Sequence, residues 1–149
     1  MKKIELRVIG VIRTPYESDA PHQPDEEAEG DFRLVLDEEF AEGLEGLERV
    51  SHLFVLFYLD RAKGPAPMKA RARWTKGEPI GVFACRSPRR PNPIGLSVVR
   101  VQEVRGNEVV ISGIDALDGS PILDIKPYFR SLDAKEEAEE GPEPDRDPR

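Results

Sequence analysis

The stretch LSVVRVQEVRGNEVVISGI, residues 96–114, decides the fold class. Two apolar-rich runs, LSVVRVQEV (96–104) and EVVISGI (108–114), flank Gly106-Asn107. A two-residue turn of this type between strand-forming runs specifies a β-hairpin, so antiparallel sheet is expected. Upstream, PIGVFAC (79–85) reads as a strand, and ARARW (70–74) as an edge strand. HLFVLFYL (52–59) is apolar on both faces, the pattern of a central buried strand. FRLVLD (32–37) is a short strand, and in IELRVIGVIR (4–13) Ile4, Leu6 and Val8 alternate with polar neighbours. Downstream, ILDIKPY (122–128) supplies a last strand after the turn DALDGSP (115–121). One helix is expected, capped by Asp37, with Phe40, Leu44, Leu47 and Val50 on its apolar face. Short strands without alternating helices give a mainly β fold: an antiparallel barrel or sandwich with one main helix and long loops.

The length of 149 residues suits one domain with a core. We place it at 1–133; AKEEAEEGPEPDRDPR (134–149), almost without apolar side chains, reads as an acidic disordered tail. The apolar run at 53–59 is too short to span a bilayer, and Glu5 and Arg7 interrupt any signal-peptide core. A soluble, cytoplasmic protein is expected. The single cysteine, Cys85, excludes an internal disulfide framework and reads as a structural thiol rather than a nucleophile.

The net charge of −7 hides a segregation. Residues 17–48 carry thirteen carboxylates against Arg33 alone, whereas residues 61–90 carry nine bases against Glu78 alone. An anionic ligand responds to the local field and not to the total. Within the basic segment, RSPRRPNPIG (86–95) combines Arg86, Arg89 and Arg90 with Pro88, Pro91 and Pro93. Each proline fixes its own φ and drives the preceding residue towards extended backbone. The loop is therefore stiff, and a stiff loop presenting guanidinium groups suits a carboxylate, a phosphate or an aromatic base.

Several chemistries are excluded. There is no GxxxxGK[ST] loop and no GxGxxG opening a helix after a strand, so a Rossmann-type nucleotide site is not expected. Only His22 and His52 are present, without metal-ligand spacing, so no metal site is expected. His52 reads as a hydrogen-bonded residue where the apolar strand begins, not as a catalyst. Asp115, Asp118 and Asp124 crowd the turn that leads into IKPY, which offers Lys126 and Tyr128 as a cation and a stacking face.

Taken together, GVIRTPY (10–16), RSPRRPNPIGLS (86–97) and LDGSPILDIKPY (117–128) resemble the TrmO family of tRNA N6-methyltransferases, in order and spacing. The resemblance implies a small β-barrel rather than a Rossmann fold, S-adenosyl-L-methionine as cofactor, and a homodimer with the cofactor near the subunit interface. It also implies methylation of N6 of threonylcarbamoyladenosine beside the anticodon of tRNA. Carried over by residue, the cofactor pocket would include Pro21, His22, Gln23, Arg86, Leu96, Leu117, Asp118 and Gly119, with Asp60 and Arg61 less clearly matched. His22 stands where relatives often carry a basic residue, and Ser120 replaces the commoner threonine.

We assign Asp118 chiefly to the cofactor, and Asp124 and Tyr128 to the nucleoside, either carboxylate being able to accept the N6 proton. Arg89, Arg90, Lys126, Lys69, Arg71 and Arg73 would meet RNA phosphates and the threonine carboxylate, and Trp74 would either stack on a loop base or anchor an edge strand. The expected partners are the tRNA anticodon loop and a second copy of the chain, with neither membrane nor DNA. Three rivals stand beside this reading: a module that binds S-adenosyl-L-methionine or RNA without catalysis, a methyltransferase with a different RNA or small-molecule substrate, and a soluble β-barrel interaction domain whose basic surface docks an acidic protein.

Overall fold

The computed structural model describes residues 1–71 and 75–139. Six antiparallel strands close into a barrel in the order β1-β2-β7-β6-β3-β8: β1 Gly10–Arg13, β2 Arg33–Leu36, β3 His52–Tyr58, β6 Ile94–Arg105, β7 Glu108–Ile111 and β8 Ser120–Pro127. Two short strands, β4 Lys69–Arg71 and β5 Pro79–Gly81, pair with each other and form an arm inserted between β3 and β6. The hairpin anticipated at 96–114 is β6–β7, with Arg105 opposite Glu108 across Gly106-Asn107. Gly106 has φ +57°, the left-handed conformation that glycine adopts without a Cβ clash.

Alternate residues of each barrel strand point inward. Ile12, Leu34, Leu53, Val55, Val99, Val109 and Ile122 are almost fully buried, and Ile111, Ile114 and Phe57 complete the interior. The outward residues of β3 depart from the two-sided burial expected of HLFVLFYL: Phe54 and Leu56 are half-buried and Tyr58 is exposed. Because Tyr58, Leu56 and Phe54 stand opposite Ile94, Leu96 and Val98 of β6, six apolar side chains form a continuous patch on the outside of the barrel.

The other departures are local. The first strand begins at Gly10, not Ile4; Ile4, Leu6 and Val8 are exposed on an arm that precedes it. The run 79–85 stops being a strand at Gly81 and turns through a 3-10 helix, Val82–Ala84. The helix expected from Asp37 is two 3-10 helices, Glu38–Leu44 and Leu47–Arg49, divided by Gly46 at φ +88°, and Asp37 makes no side-chain cap. The only α-helix among the described residues is α1, Arg130–Asp133. No helix is long and apolar enough to cross a membrane among the described residues. Trp74, Arg73 and most of the anticipated tail lie outside the described residues.

Two glycines are fixed by packing. A Cβ on Gly10 would lie 2.2 Å from the Val35 carbonyl oxygen and 2.8 Å from the Leu36 Cα, both backbone atoms of the neighbouring strand. A Cβ on Gly95 would fall 2.5–2.9 Å from the Phe57 ring. Gly95 in the RPNPIG loop therefore makes room for a core aromatic ring, a structural duty. Gly10→Ala is expected to destabilise the fold by about 2 kcal/mol, since the strand cannot move away without losing its ladder. The thermal midpoint should drop by roughly 6 °C. Gly43→Ala, where a Cβ meets nothing within 4 Å, is the matched control.

Candidate functional site

The turn before β8 is the best-connected polar feature. The Thr14 N–H donates to Asp118 Oδ1 at 3.1 Å, and Arg61 Nη2 donates to the Asp118 carbonyl oxygen. The Asp118 N–H bonds to the Tyr16 carbonyl and the Gly119 N–H to the Ile12 carbonyl, both at 2.7 Å. The motifs GVIRTPY and LDGSP are thus clasped against each other, and Asp60-Arg61, at the end of β3, reaches the same turn. Gly119 sits at φ +82°, where Arg61 Nη2 and Arg13 Nη1 converge over its Cα, 3.5 and 3.9 Å from a Cβ position. Asp118 Oδ1 is engaged by the backbone of Thr14, while Oδ2 lies 3.7 Å from Arg13 and keeps acceptor capacity.

Asp115, one of the three acids crowding this turn, has surroundings that set it apart from the other two. It is half-buried and accepts a 2.5 Å hydrogen bond from Ser97 Oγ. Burial pushes its carboxyl above the ordinary carboxylate range; Ser97, its own backbone N–H and the charge of Arg86 act in the opposite direction. A half-buried acid kept in tension next to an arginine of the candidate pocket is typical of functional sites. The sign of the linkage follows. The folded state binds the Asp115 proton more tightly than the unfolded chain, so stability falls as pH rises from the ordinary carboxylate value through the raised one. Asp115→Asn, whose Oδ1 still accepts from Ser97, should raise the thermal midpoint at neutral pH. It should leave the midpoint unchanged in strong acid, where the side chain at position 115 is uncharged in both proteins; a pH series of melts checks this.

The remaining anticipated residues are distributed. Arg86 is exposed; Leu96 is 52% exposed in the outer apolar patch; Pro21, His22 and Gln23 lie on the long loop between β1 and β2. That loop is tied down where the Glu26 carboxylate meets Arg100 of β6, a contact that holds Glu26 below the ordinary carboxylate range. Asp124 pairs with Lys126 at 3.2 Å and its Oδ1 takes the Ile125 N–H. Asp124 shares a cross-strand row with Leu56 and Leu96. Tyr128 packs at a tilt against Phe54, with ring centroids 5.4 Å apart, and meets His52 edge-on; His52 Nδ1 is hydrogen-bonded to Ser51 Oγ. It also lines a groove of about 740 Å³ with Arg49, Phe129 and Arg130, on the far side from the Asp118 turn. Asp118 and Tyr128 flank opposite ends of β8, on the order of 20 Å apart, and Asp124 lies on the order of 15 Å along the chain from Asp118. Within one chain these three residues do not converge on one atom.

The basic segment keeps its charge uncompensated. Among the described residues, Lys63, Lys69, Arg71, Lys76, Arg86, Arg89 and Arg90 have no carboxylate within ion-pair distance; Arg61 alone in the segment has one, Asp60. Their donors go to backbone carbonyls instead. Arg90 Nη1 bonds to the carbonyls of Cys85 and Ser87, Arg89 Nη2 to that of Pro65, and Arg71 Nη1 to that of Gly77. Arg90, half-buried, is therefore a staple of its own loop as well as a positive charge. Cys85 Sγ rests on the Val82 carbonyl at 3.6 Å, consistent with a structural thiol.

The sequence profile described as the tRNA-methyltransferase O N-terminal domain matches residues 11–134. The chain belongs to this family. Among individual relatives, a probable S-adenosyl-L-methionine-binding protein of Archaeoglobus fulgidus is 43% identical over 90% of this chain and 36% of its own length. The tRNA (adenine(37)-N6)-methyltransferase of Escherichia coli is 37% identical over 87% of this chain and 59% of its own. The crystal structure of TrmO from Pseudomonas aeruginosa superposes with a TM-score of 0.77 at 38% identity, covering 94% of this chain and 62% of that one. The chain thus spans about a third to three-fifths of the length of these relatives. Its barrel is the TrmO fold, and the clasped GVIRTPY and LDGSP motifs lie inside the matched region.

Proposed function

We propose that this protein is an S-adenosyl-L-methionine-dependent methyltransferase acting on N6 of adenosine in tRNA. The threonylcarbamoylated adenosine beside the anticodon is its preferred target. The observation that carries this reading is the meeting of the Asp118-Gly119 turn with Arg61 and Arg13 next to an arm of unpaired cations. Its relatives include a named tRNA (adenine(37)-N6)-methyltransferase.

The donor set fits the cofactor. Asp118 Oδ2 would accept from ribose hydroxyls, Arg61 and Arg86 would meet the carboxylate, and Leu96 and Leu117 would give apolar cover for adenine. Pro21, His22, Gln23 and Asp60 complete the group that would hold it. When bound, S-adenosyl-L-methionine supplies a methyl group on a good, neutral leaving group. The chain's own task is to hold two reactants in line and exclude water, which is worth on the order of 7–11 kcal/mol. Asp124 accepts the N6 proton, and Tyr128 faces the base. The urea-like N–H of a threonylcarbamoyl nucleoside is more acidic than that of plain adenosine, so a carboxylate suffices.

Because Asp118 and Asp124 stand far apart on one chain, the site is composite. Asp118 comes from one copy and Asp124 from a second, docked through the apolar patch around Leu96. Asp118→Asn and Asp124→Asn should each abolish most activity. Mixing the two inactive proteins under conditions of subunit exchange should restore about one quarter of the sites, since half the dimers are mixed and one of their two sites is intact. No recovery on mixing would argue for a site within one chain. A second reading, cofactor binding without catalysis, is favoured by the name of the Archaeoglobus relative. Incubation with methyl-labelled cofactor and tRNA separates the two: label enters the RNA only if the protein is an enzyme.

A further inference from the structure

Phe83 has no structural duty. It is 77% exposed in the 3-10 turn Val82–Ala84, while its neighbour Val82 is 1% exposed. The Val82 N–H bonds to the Met68 carbonyl at 2.9 Å, and the Cys85 N–H returns to the Val82 carbonyl. Val82 thus anchors the turn and Phe83 is held pointing away from it. The mount is stiff: Arg90 bonds to the carbonyls of Cys85 and Ser87, and three prolines follow. Exposing a phenylalanine forgoes the stabilisation that burial of its ring gives, and this ring is held outward on a stiff mount, ready to be covered.

The surroundings identify the cover. Lys69 stands opposite Gly81 in the β4–β5 pair, two residues before Phe83, and Arg86 follows three residues after it. None of the described cations of the arm from Lys63 to Arg90 has a carboxylate partner. A second copy meeting its own arm across a two-fold axis would bring these like charges together, which disfavours an arm-to-arm contact. A flat apolar ring among uncompensated cations fits a strand that carries both phosphates and free base faces.

We infer that Phe83 is a nucleobase-stacking residue, receiving an unpaired base of the RNA while Lys69 and Arg89 hold the flanking phosphates. This rests on the proposed action on tRNA and extends it by naming the contact that distinguishes a loop from a duplex. A paired RNA offers the same phosphates but no free base face.

The test uses the full chain and two probes: a synthetic stem-loop RNA with adenosine in its unpaired loop, and a fully paired RNA duplex. Affinity is measured for the wild type, Phe83→Ala, Phe83→Leu and Phe83→Tyr, alongside S-adenosyl-L-methionine binding and sedimentation. Phe83→Ala and Phe83→Leu should weaken stem-loop binding about tenfold or more. Phe83→Tyr should retain it, and duplex binding, cofactor binding and oligomeric state should not change. The inference is overturned if Phe83→Ala leaves stem-loop binding intact, if it weakens stem-loop and duplex equally, or if it changes the sedimentation. The last result would make Phe83 a subunit contact. A wild type that binds neither RNA would overturn the tRNA reading itself, and this inference with it.

Discussion

Asp118→Asn is expected to lower kcat/KM for methyl transfer by about three orders of magnitude while leaving the fold intact. Asp118 Oδ1 accepts the Thr14 N–H, and an asparagine Oδ1 does the same, so the clasp between the turn and the first strand survives. The charge near Arg13 and the acceptor at Oδ2 are lost. Loss of a charged hydrogen bond to the cofactor costs about 1.5–3 kcal/mol, or roughly 10–100-fold in cofactor affinity. A cofactor held less well in line loses roughly a further 100-fold in rate. Calorimetry with the cofactor and single-turnover methyl transfer read the two parts separately. Asp118→Ala leaves the Thr14 N–H without its acceptor and should also melt earlier, which Asp118→Asn should not. An Asp118→Asn protein with full cofactor affinity would remove Asp118 from the pocket.

The arm of cations predicts the second large effect. In Lys69→Ala/Arg71→Ala/Arg89→Ala three charges disappear, none of which has a carboxylate partner whose release would offset the loss. Each phosphate contact on single-stranded RNA contributes about −0.7 to the slope of log affinity against log salt, so the slope should become shallower by about two. Affinity for tRNA should therefore drop by a few hundredfold near 0.05 M salt and by only about fourfold near 0.5 M. Arg105→Ala, which removes a cation already paired with Glu103, should barely alter the slope. A triple variant with the wild-type salt dependence would take the arm out of the RNA interface.

Much of this architecture could be read from the residues, because period-two alternation survives in a barrel strand. β2, β6, β7 and β8 fall where their apolar alternation put them, and the turn at Gly106-Asn107 fixes the hairpin register. The failures have physical causes. Ile4, Leu6 and Val8 alternate as well as any strand, but alternation does not say what lies opposite, and in this chain they project from the barrel as an arm. Phe40, Leu44, Leu47 and Val50 have helical spacing, yet Gly46 takes a left-handed φ and splits the segment. Nothing in the sequence around Gly95 tells that it is the ring of Phe57 that this glycine accommodates.

The site was less legible than the fold. The convergence of Arg61 and Arg13 on Gly119 joins residues from three distant segments, which spacing cannot report. The motifs marked Asp118 through family resemblance, whereas Asp115 stands out only once its burial and its bond to Ser97 are seen. Arg90 illustrates the reverse: its composition suggested an outward charge, and its guanidinium also turns back to staple the loop.

The most direct test of the central claim is nucleoside mass spectrometry of tRNA after reaction with the purified protein and S-adenosyl-L-methionine. The tRNA should come from cells that lack the corresponding methyltransferase, prepared with and without the threonylcarbamoyl group. The threonylcarbamoylated adenosine should gain the mass of one methyl on N6, with little or none on the unmodified tRNA. Cofactor binding with no methylated nucleoside from either preparation, or methylation confined to another base, would contradict that claim.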